Sequence, residues 1–222
     1  MTSVAPEESL IPRELQYKVL VIGEYGVGKT AIIQRYTKGY FSPNYKLTIG
    51  VDFAVKTLIW NAHTKINLQL WDIAGHERFG QLTRVYYKYA VAALVVFDVT
   101  RPCTLDAVAK WVYDVREKVS LSSGDGATVP VVVLANKCDV MSSEQERRVY
   151  VSSLQQFCEQ HSIDAWFLTS AKEDINIDET MRWLVDHILT SRRTSQLSMS
   201  PPNQPTTLLA DPHPKPQSYC CR

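Results

Sequence analysis

Gly23-Glu24-Tyr25-Gly26-Val27-Gly28-Lys29-Thr30 follows a short β-type run, Tyr17 to Ile22, and opens a helical segment, Lys29 to Lys38. The octet fits the phosphate-loop pattern GxxxxGK[ST]. Its glycines let the backbone wrap closely, so that N–H groups face phosphate oxygens. Lys29 supplies a point charge toward β and γ phosphates, and the Thr30 hydroxyl is a ligand for Mg²⁺. The helix N-terminus behind the loop adds a favourable dipole. A bare Gly-rich strand–helix turn is the bland alternative. The strand before the octet and the helix after it are the context that a phosphate cradle requires.

Outward from this loop, apolar strands alternate with helical patterns. Val51 to Trp60 and Lys65 to Trp71 read as strands joined by the Asn61–Thr64 turn, a hairpin. Val91 to Phe97 and Val129 to Ala135 are continuous apolar runs, as buried parallel strands require. Between them Leu105, Val108, Val112, Val115 and Val119 recur at helical spacing. A helix is predicted over 148–160 and a strand over Ala165 to Thr169. Ile177, Met181, Leu184, Val185 and Ile188 then line one face of a last helix. The pattern predicts an α/β fold: a P-loop NTPase domain with a six-stranded, mostly parallel sheet, one antiparallel edge strand and about five helices. Ligands in such sheets bind beyond the carboxyl ends of the strands.

Composition narrows the class. The chain has 222 residues, with 24 Lys plus Arg against 23 Asp plus Glu. A net charge of +1 gives no electrostatic footprint for duplex nucleic acid. The five cysteines are odd in number and lack zinc-type spacing, which argues against a disulfide framework and for a reducing compartment. The longest apolar run, Ala90 to Phe97, falls well short of the ~20 residues of a membrane span. Residues 1–16 read as a mobile arm and 17–191 as the folded domain. Residues 192–222, which hold six of the eleven prolines, read as a disordered tail.

Two further stations follow the phosphate loop. Trp71-Asp72-Ile73-Ala74-Gly75 places an acid at a strand end, able to hold Mg²⁺, and a glycine whose N–H can approach a γ phosphate. Asn136-Lys137-Cys138-Asp139 follows the Val129–Ala135 strand. The Asp139 carboxylate can accept from both N1–H and the exocyclic amine of guanine, a donor pair that adenine lacks. Ser170-Ala171-Lys172 offers backbone N–H groups to the guanine O6. Each of these is a common polar loop when taken singly; their order behind a phosphate loop makes coincidence improbable.

The whole set resembles small GTPases of the Ras superfamily, and more narrowly the Rab branch. Ile49 to Phe53, Leu70-Trp71-Asp72, Glu77 to Gly80, Tyr86-Tyr87 and Phe97 to Thr100 look like Rab segments. Trp71 to Gly75, Thr83 to Lys88 and Leu134 to Asp139 resemble the subgroup that serves lysosome-related organelles, phagosomes and melanosomes. The resemblance implies a GTP/GDP switch in vesicle trafficking, with Mg²⁺ as cofactor and slow GTP hydrolysis.

It also implies roles. Gly23, Glu24, Tyr25, Gly26, Val27, Gly28, Lys29, Thr30 and Ala31 would wrap the nucleotide, with Phe41 edge-on to guanine and Tyr45 closing over the phosphates. Thr48 would join Thr30 and Asp72 on the metal and sense the γ phosphate. Asn136, Lys137, Asp139, Ser170, Ala171 and Lys172 would hold the base. Lys29, Thr48, Gly75 and His76 would form the catalytic set. Ile49, Phe53, Trp71, Phe79 and Tyr86 would face effectors, although a core role for Phe53, Trp71 and Tyr86 is equally open from sequence.

Two positions depart from the family. His76 stands where Gln normally orients the attacking water, and the bulky Tyr25 sits at a position that is usually small. A nucleotide-dependent scaffold with little or no intrinsic hydrolysis is therefore the alternative. A P-loop ATPase or nucleotide kinase is a further one, against which Asn136 to Asp139 speak. Cys220 and Cys221 resemble the paired Rab lipidation signal; the C-a-a-X pattern fails because Tyr219 holds its cysteine position. The implied setting is a monomer on the cytoplasmic face of endosomal, lysosomal or lysosome-related membranes, with a cytosolic pool. The implied partners are effectors, an exchange factor, a GTPase-activating protein, an escort protein with its prenyltransferase, and a dissociation inhibitor.

Overall fold

β4 (Ala92–Asp98) and β5 (Val131–Asn136) are buried along their whole length. They are the centre of a computed structural model that describes residues 13–44, 46–75, 83–119 and 129–198. Around them stand β1 (Arg13–Ile22), β2 (Val51–Asn61), β3 (Thr64–Ile73) and β6 (Ala165–Thr169). The helices are α1 (Lys29–Lys38), α2 (Thr83–Tyr87), α3 (Pro102–Lys118), α4 (Glu144–Gln160) and α5 (Ile177–Ser198). The sheet order is β2-β3-β1-β4-β5-β6. Every neighbouring pair is parallel except β2–β3, so the expected fold class holds.

Period-two alternation divides the core into two layers. Val19 and Val21 of β1, Leu94 and Val96 of β4, and Val132 and Leu134 of β5 pack on the side of α1 and α5. Leu20, Ile22, Ala93, Val95, Phe97 and Val133 point the other way, onto Val108, Trp111 and Val115 of α3 and Leu154 of α4. β2 lies at the sheet edge, and Phe53, Val55 and Ile59 on one of its faces stay exposed. No helix among the described residues is long and apolar enough to cross a membrane.

Several boundaries differ from the sequence reading. β1 starts at Arg13, inside the stretch read as an arm, because Arg13 to Gln16 pair with Thr64 to Asn67 of β3. Their side chains are largely exposed, so the apolar pattern does not reveal the backbone ladder. β5 starts at Val131 instead of Val129, just after Pro130, which has no N–H to give a ladder. α4 starts at Glu144 instead of 148: the Ser143 hydroxyl accepts from the Glu146 N–H at 3.0 Å and caps the helix. α5 runs on to Ser198, past the expected boundary at 191.

Leu94 is fully buried in the middle of the sheet. Leu94→Ala is expected to cost about 2–5 kcal/mol of stability, read from chemical denaturation at saturating nucleotide.

Candidate functional site

The loops after β1, β3, β5 and β6 open on one edge of the sheet, where a cavity of about 590 Å³ lies. Its walls include Tyr25, Gly26, Gly28, Lys29, Thr30 and Ala31 from the phosphate loop and α1. Phe41 and Thr48 come from the segment before β2, and Gly75 from the segment after β3. Asn136, Lys137, Asp139, Ala171 and Lys172 complete the far end. Tyr40, Ser42, Pro43, Asn44, Lys46 and Leu47 line it too, residues to which the sequence motifs assign no individual role. Tyr45, His76, Phe79, Cys220 and Cys221 lie outside the described residues.

The lysine of the phosphate loop bonds back to the loop's own backbone. Lys29 Nζ donates to the carbonyls of Gly23 at 2.8 Å and Glu24 at 2.9 Å. Burial pushes its pKa down to about 8, against the opposing charges of Asp72 and Glu24. Gly28 has φ +103°, and a Cβ there would stand 2.3 Å from Asn136 Nδ2. Only glycine serves that turn and that approach together. Gly75 runs equally close: a Cβ on it would meet Tyr25 N at 2.4 Å.

Gly23, Glu24, Val27 and Ser170 stand behind the cavity instead of lining it. Val27 is buried, and its carbonyl accepts from Asn136 Nδ2 at 2.8 Å. The Glu24 carboxylate accepts from Trp111 Nε1 at 3.2 Å. The Ser170 hydroxyl donates to Asp139 Oδ1 at 2.6 Å and fixes that carboxylate's rotamer.

At the other end three oxygen-bearing side chains crowd together. The Thr30 hydroxyl donates to Asp72 Oδ2 and lies 2.9 Å from Thr48 Oγ1, which stands 3.4 Å from the same Oδ2. Asp72 Oδ1 is buried and has no hydrogen-bond partner among the described residues. Burial raises the Asp72 pKa, countered by the Thr30 hydroxyl and the Lys29 charge. Hard oxygens with an unsatisfied buried carboxylate oxygen are the donor set Mg²⁺ takes. The residues fit that ion.

Asp98 was not singled out from the sequence. Its Oδ2 accepts from Lys137 Nζ at 2.6 Å and from Arg101 Nε at 3.1 Å. Its Oδ1 accepts from the Thr100 N–H and hydroxyl at 2.9 and 2.6 Å. Burial alone would raise its pKa, but the hydrogen bonds from Lys137 and Thr100 hold it below the usual carboxylate range. Lys137 Nζ continues to the Gly26 carbonyl at 3.0 Å. In the sequence Asp98 lies in a Rab-like segment and closes a fully apolar strand, and such a group persists in a core only when it is paired.

Of the expected effector residues, Ile49 is 82% exposed and Phe53 64%. Phe53 stacks on Trp71 at 6.0 Å, and Lys18 Nζ lies 3.6 Å from the Trp71 ring centroid. Phe53 is therefore not a core residue. Trp71 and Tyr86 are half-buried against the layer below.

The profile of the Ras family matches residues 18–190. The chain belongs to the Ras family. It is 48% identical over 219 residues to the Ras-related protein Rab-32 of Mus musculus, covering 99% of this chain and 94% of that relative. The Homo sapiens Rab-32 is 53% identical over 182 residues, 82% and 79% of the two chains. Rab-7L1 of Mus musculus is 40% identical over 200 residues, 90% and 95%. This is a Rab GTPase near the Rab-32 subgroup: a small GTP-hydrolysing protein of vesicle trafficking, which works with regulators and effectors. The alternative of a non-hydrolysing scaffold gains no support.

In this Rab GTPase Arg35 of α1 is a support invisible to motif reading. Its Nε donates to the Ala171 carbonyl and its Nη2 to the Lys172 carbonyl, both at 2.9 Å. Arg35→Ala frees the 170–172 loop. GDP release is expected to quicken about tenfold, the scale of one charge-assisted hydrogen bond, read from fluorescent GDP dissociation.

Proposed function

We propose that this chain binds GTP or GDP together with Mg²⁺ in the 590 Å³ cavity and hydrolyses GTP slowly. The observation that carries the reading is the meeting of Thr30, Thr48 and Asp72 oxygens at the phosphate-loop end, with Asp72 Oδ1 left unpaired. These three residues would hold Mg²⁺, which when bound neutralises charge on the β and γ oxygens.

Tyr25, Gly26 and Gly28 to Ala31 would wrap the phosphates, with Gly23, Glu24 and Val27 shaping the loop from behind. Lys29 would exchange its two carbonyl partners for β and γ oxygens, keeping its charge in a site that withholds water from it. The Gly75 N–H would meet the γ phosphate, and Thr48 would report that phosphate to the segment before β2. Phe41 would pack edge-on to the base. Asp139, held by Ser170, would accept from N1–H and the exocyclic amine of guanine, with Asn136, Lys137, Ala171 and Lys172 completing the base site. His76 would orient the attacking water less well than Gln: a neutral imidazole offers one donor and one acceptor on a rigid ring. Tyr45 would close over the phosphates.

The GTP form would present Ile49, Phe53, Trp71, Phe79 and Tyr86 to effectors. An exchange factor and a GTPase-activating protein would set its lifetime. Lipid chains on Cys220 and Cys221 would anchor the protein to the cytoplasmic face of endosomal, lysosomal or lysosome-related membranes, since two chains hold where one is marginal. An escort protein with its prenyltransferase would load them, and a dissociation inhibitor would shield them in the cytosol.

The test of the base site is Asp139→Asn. An amide donates to the xanthine oxygen where the carboxylate accepted from the guanine amine, so preference is expected to move toward xanthine nucleotides by several kcal/mol on the scale of about 1–3 per unpaired buried group. Competition titration with GTP and XTP reads it; unchanged GTP affinity with no gain for XTP defeats the assignment.

Slow turnover is tested separately. Intrinsic single-turnover hydrolysis at saturating Mg²⁺ is expected to be faster in His76→Gln than in the native protein. Equal rates would remove His76 from the account.

A further inference from the structure

Arg101, at the N-terminal end of α3, reaches back across the fold to Tyr25 of the phosphate loop. Its Nη2 donates to the Tyr25 carbonyl at 2.8 Å. Its guanidinium carbon lies 5.6 Å from the Tyr25 ring centroid. Its Nε is fixed by Asp98 Oδ2 at 3.1 Å, and that carboxylate is itself 2% exposed. The arginine is thus tied at its root to a buried anion and grips Tyr25 by both backbone and ring. A planar guanidinium can do both; a lysine ammonium offers no flat face to a ring.

Tyr25 stands at a junction. Its backbone N would lie 2.4 Å from a Cβ on Gly75, so the phosphate loop and the segment after β3 touch there. This is the end of the cavity where Lys29, Thr48 and Gly75 gather. A side chain branching at that point can lie against α3 or swing over the space beside a γ phosphate. Tyr25 is 61% exposed, so packing does not fix its ring. The Arg101 guanidinium is the group that lies over it. The structure carries the bulky Tyr25 ring against Arg101.

We propose that Arg101 is a positioning residue for GTP hydrolysis, which parks the Tyr25 ring against the start of α3 and keeps the approach to the γ phosphate open. The inference rests on the nucleotide-site reading above. It makes Tyr25 tolerable because of a residue 76 positions away along the chain.

The test compares four full-length proteins: native, Arg101→Ala, Tyr25→Ala and the double variant. Guanine-nucleotide binding is measured first, then single-turnover GTP hydrolysis at saturating Mg²⁺. Arg101→Ala is expected to slow hydrolysis about fivefold relative to native, the upper scale of the exposed cation–π contact that holds the ring; the hydrogen bond to the Tyr25 backbone carbonyl is lost equally in the double variant. Tyr25→Ala and the double variant are expected to agree within about twofold, because without the ring there is nothing to park. The double variant lacks the same arginine contacts, so its rate separates parking from a general loss of structure. Native protein that fails to bind guanine nucleotide would defeat the site reading itself. Native protein that binds and hydrolyses GTP, with Arg101→Ala at the native rate or with its loss undiminished beside Tyr25→Ala, would overturn the parking role alone.

Discussion

The side-chain amide of Asn136 ties its own loop to two others. Its Nδ2 donates to the Val27 carbonyl at 2.8 Å, and its Oδ1 accepts from the Ala171 N–H at 3.3 Å, while its own backbone ends β5. It is 2% exposed, so each of these bonds is made where water cannot replace it. The phosphate loop, the 136–139 loop and the 170–172 loop therefore share one polar joint. Gly28 passes too close to this amide to carry a side chain, and Ala171 is placed by it. Lys137 and Arg101, drawn together by Asp98, form a second joint on the outer side of the same loop.

Such joints are possible because of the sheet order. β1 sits between β3 and β4, and five of the six strands run in parallel, so the loops that carry chemistry leave from one edge. The apolar layers above and below hold those strand ends at fixed spacing. The polar side chains then bridge gaps that packing has already set. Stability and site geometry are thus supplied by different residues: Val95, Phe97 and Leu134 fill the core, while Asp98 and Asn136, at the very next turns of those strands, face the loops.

The sequence was most legible where chemistry is local. Lys29, Thr30, Asp72 and Asp139 stand in short patterns whose spacing carries the meaning, and all four come to the same cavity region. Strand and helix types also followed from periodicity, as in Leu94 or Val112. The rest depended on contacts between distant positions. Arg35 reaches Ala171 and Lys172, and Arg101 reaches Tyr25; nothing near either residue in the chain announces its partner. The early start of β1 was hidden because its first residues pair through backbone alone. The early start of α4 was written in Ser143 and Glu146, a capping pair that an apolar count passes over.

β2 and β3 are one hairpin, and its open end holds both Thr48 and Gly75 within a few residues of paired positions. Val51 faces Ile73 across the ladder, and the Ala74 N–H donates to the Gly50 carbonyl at 3.0 Å. The strand ends at Gly50 and Ala74 cannot part without breaking that rung. Under the proposed function they would act as two displays wired to one signal: a binding protein that read either segment would receive the same message, so different readers could evolve on different surfaces of this molecule and still keep common time.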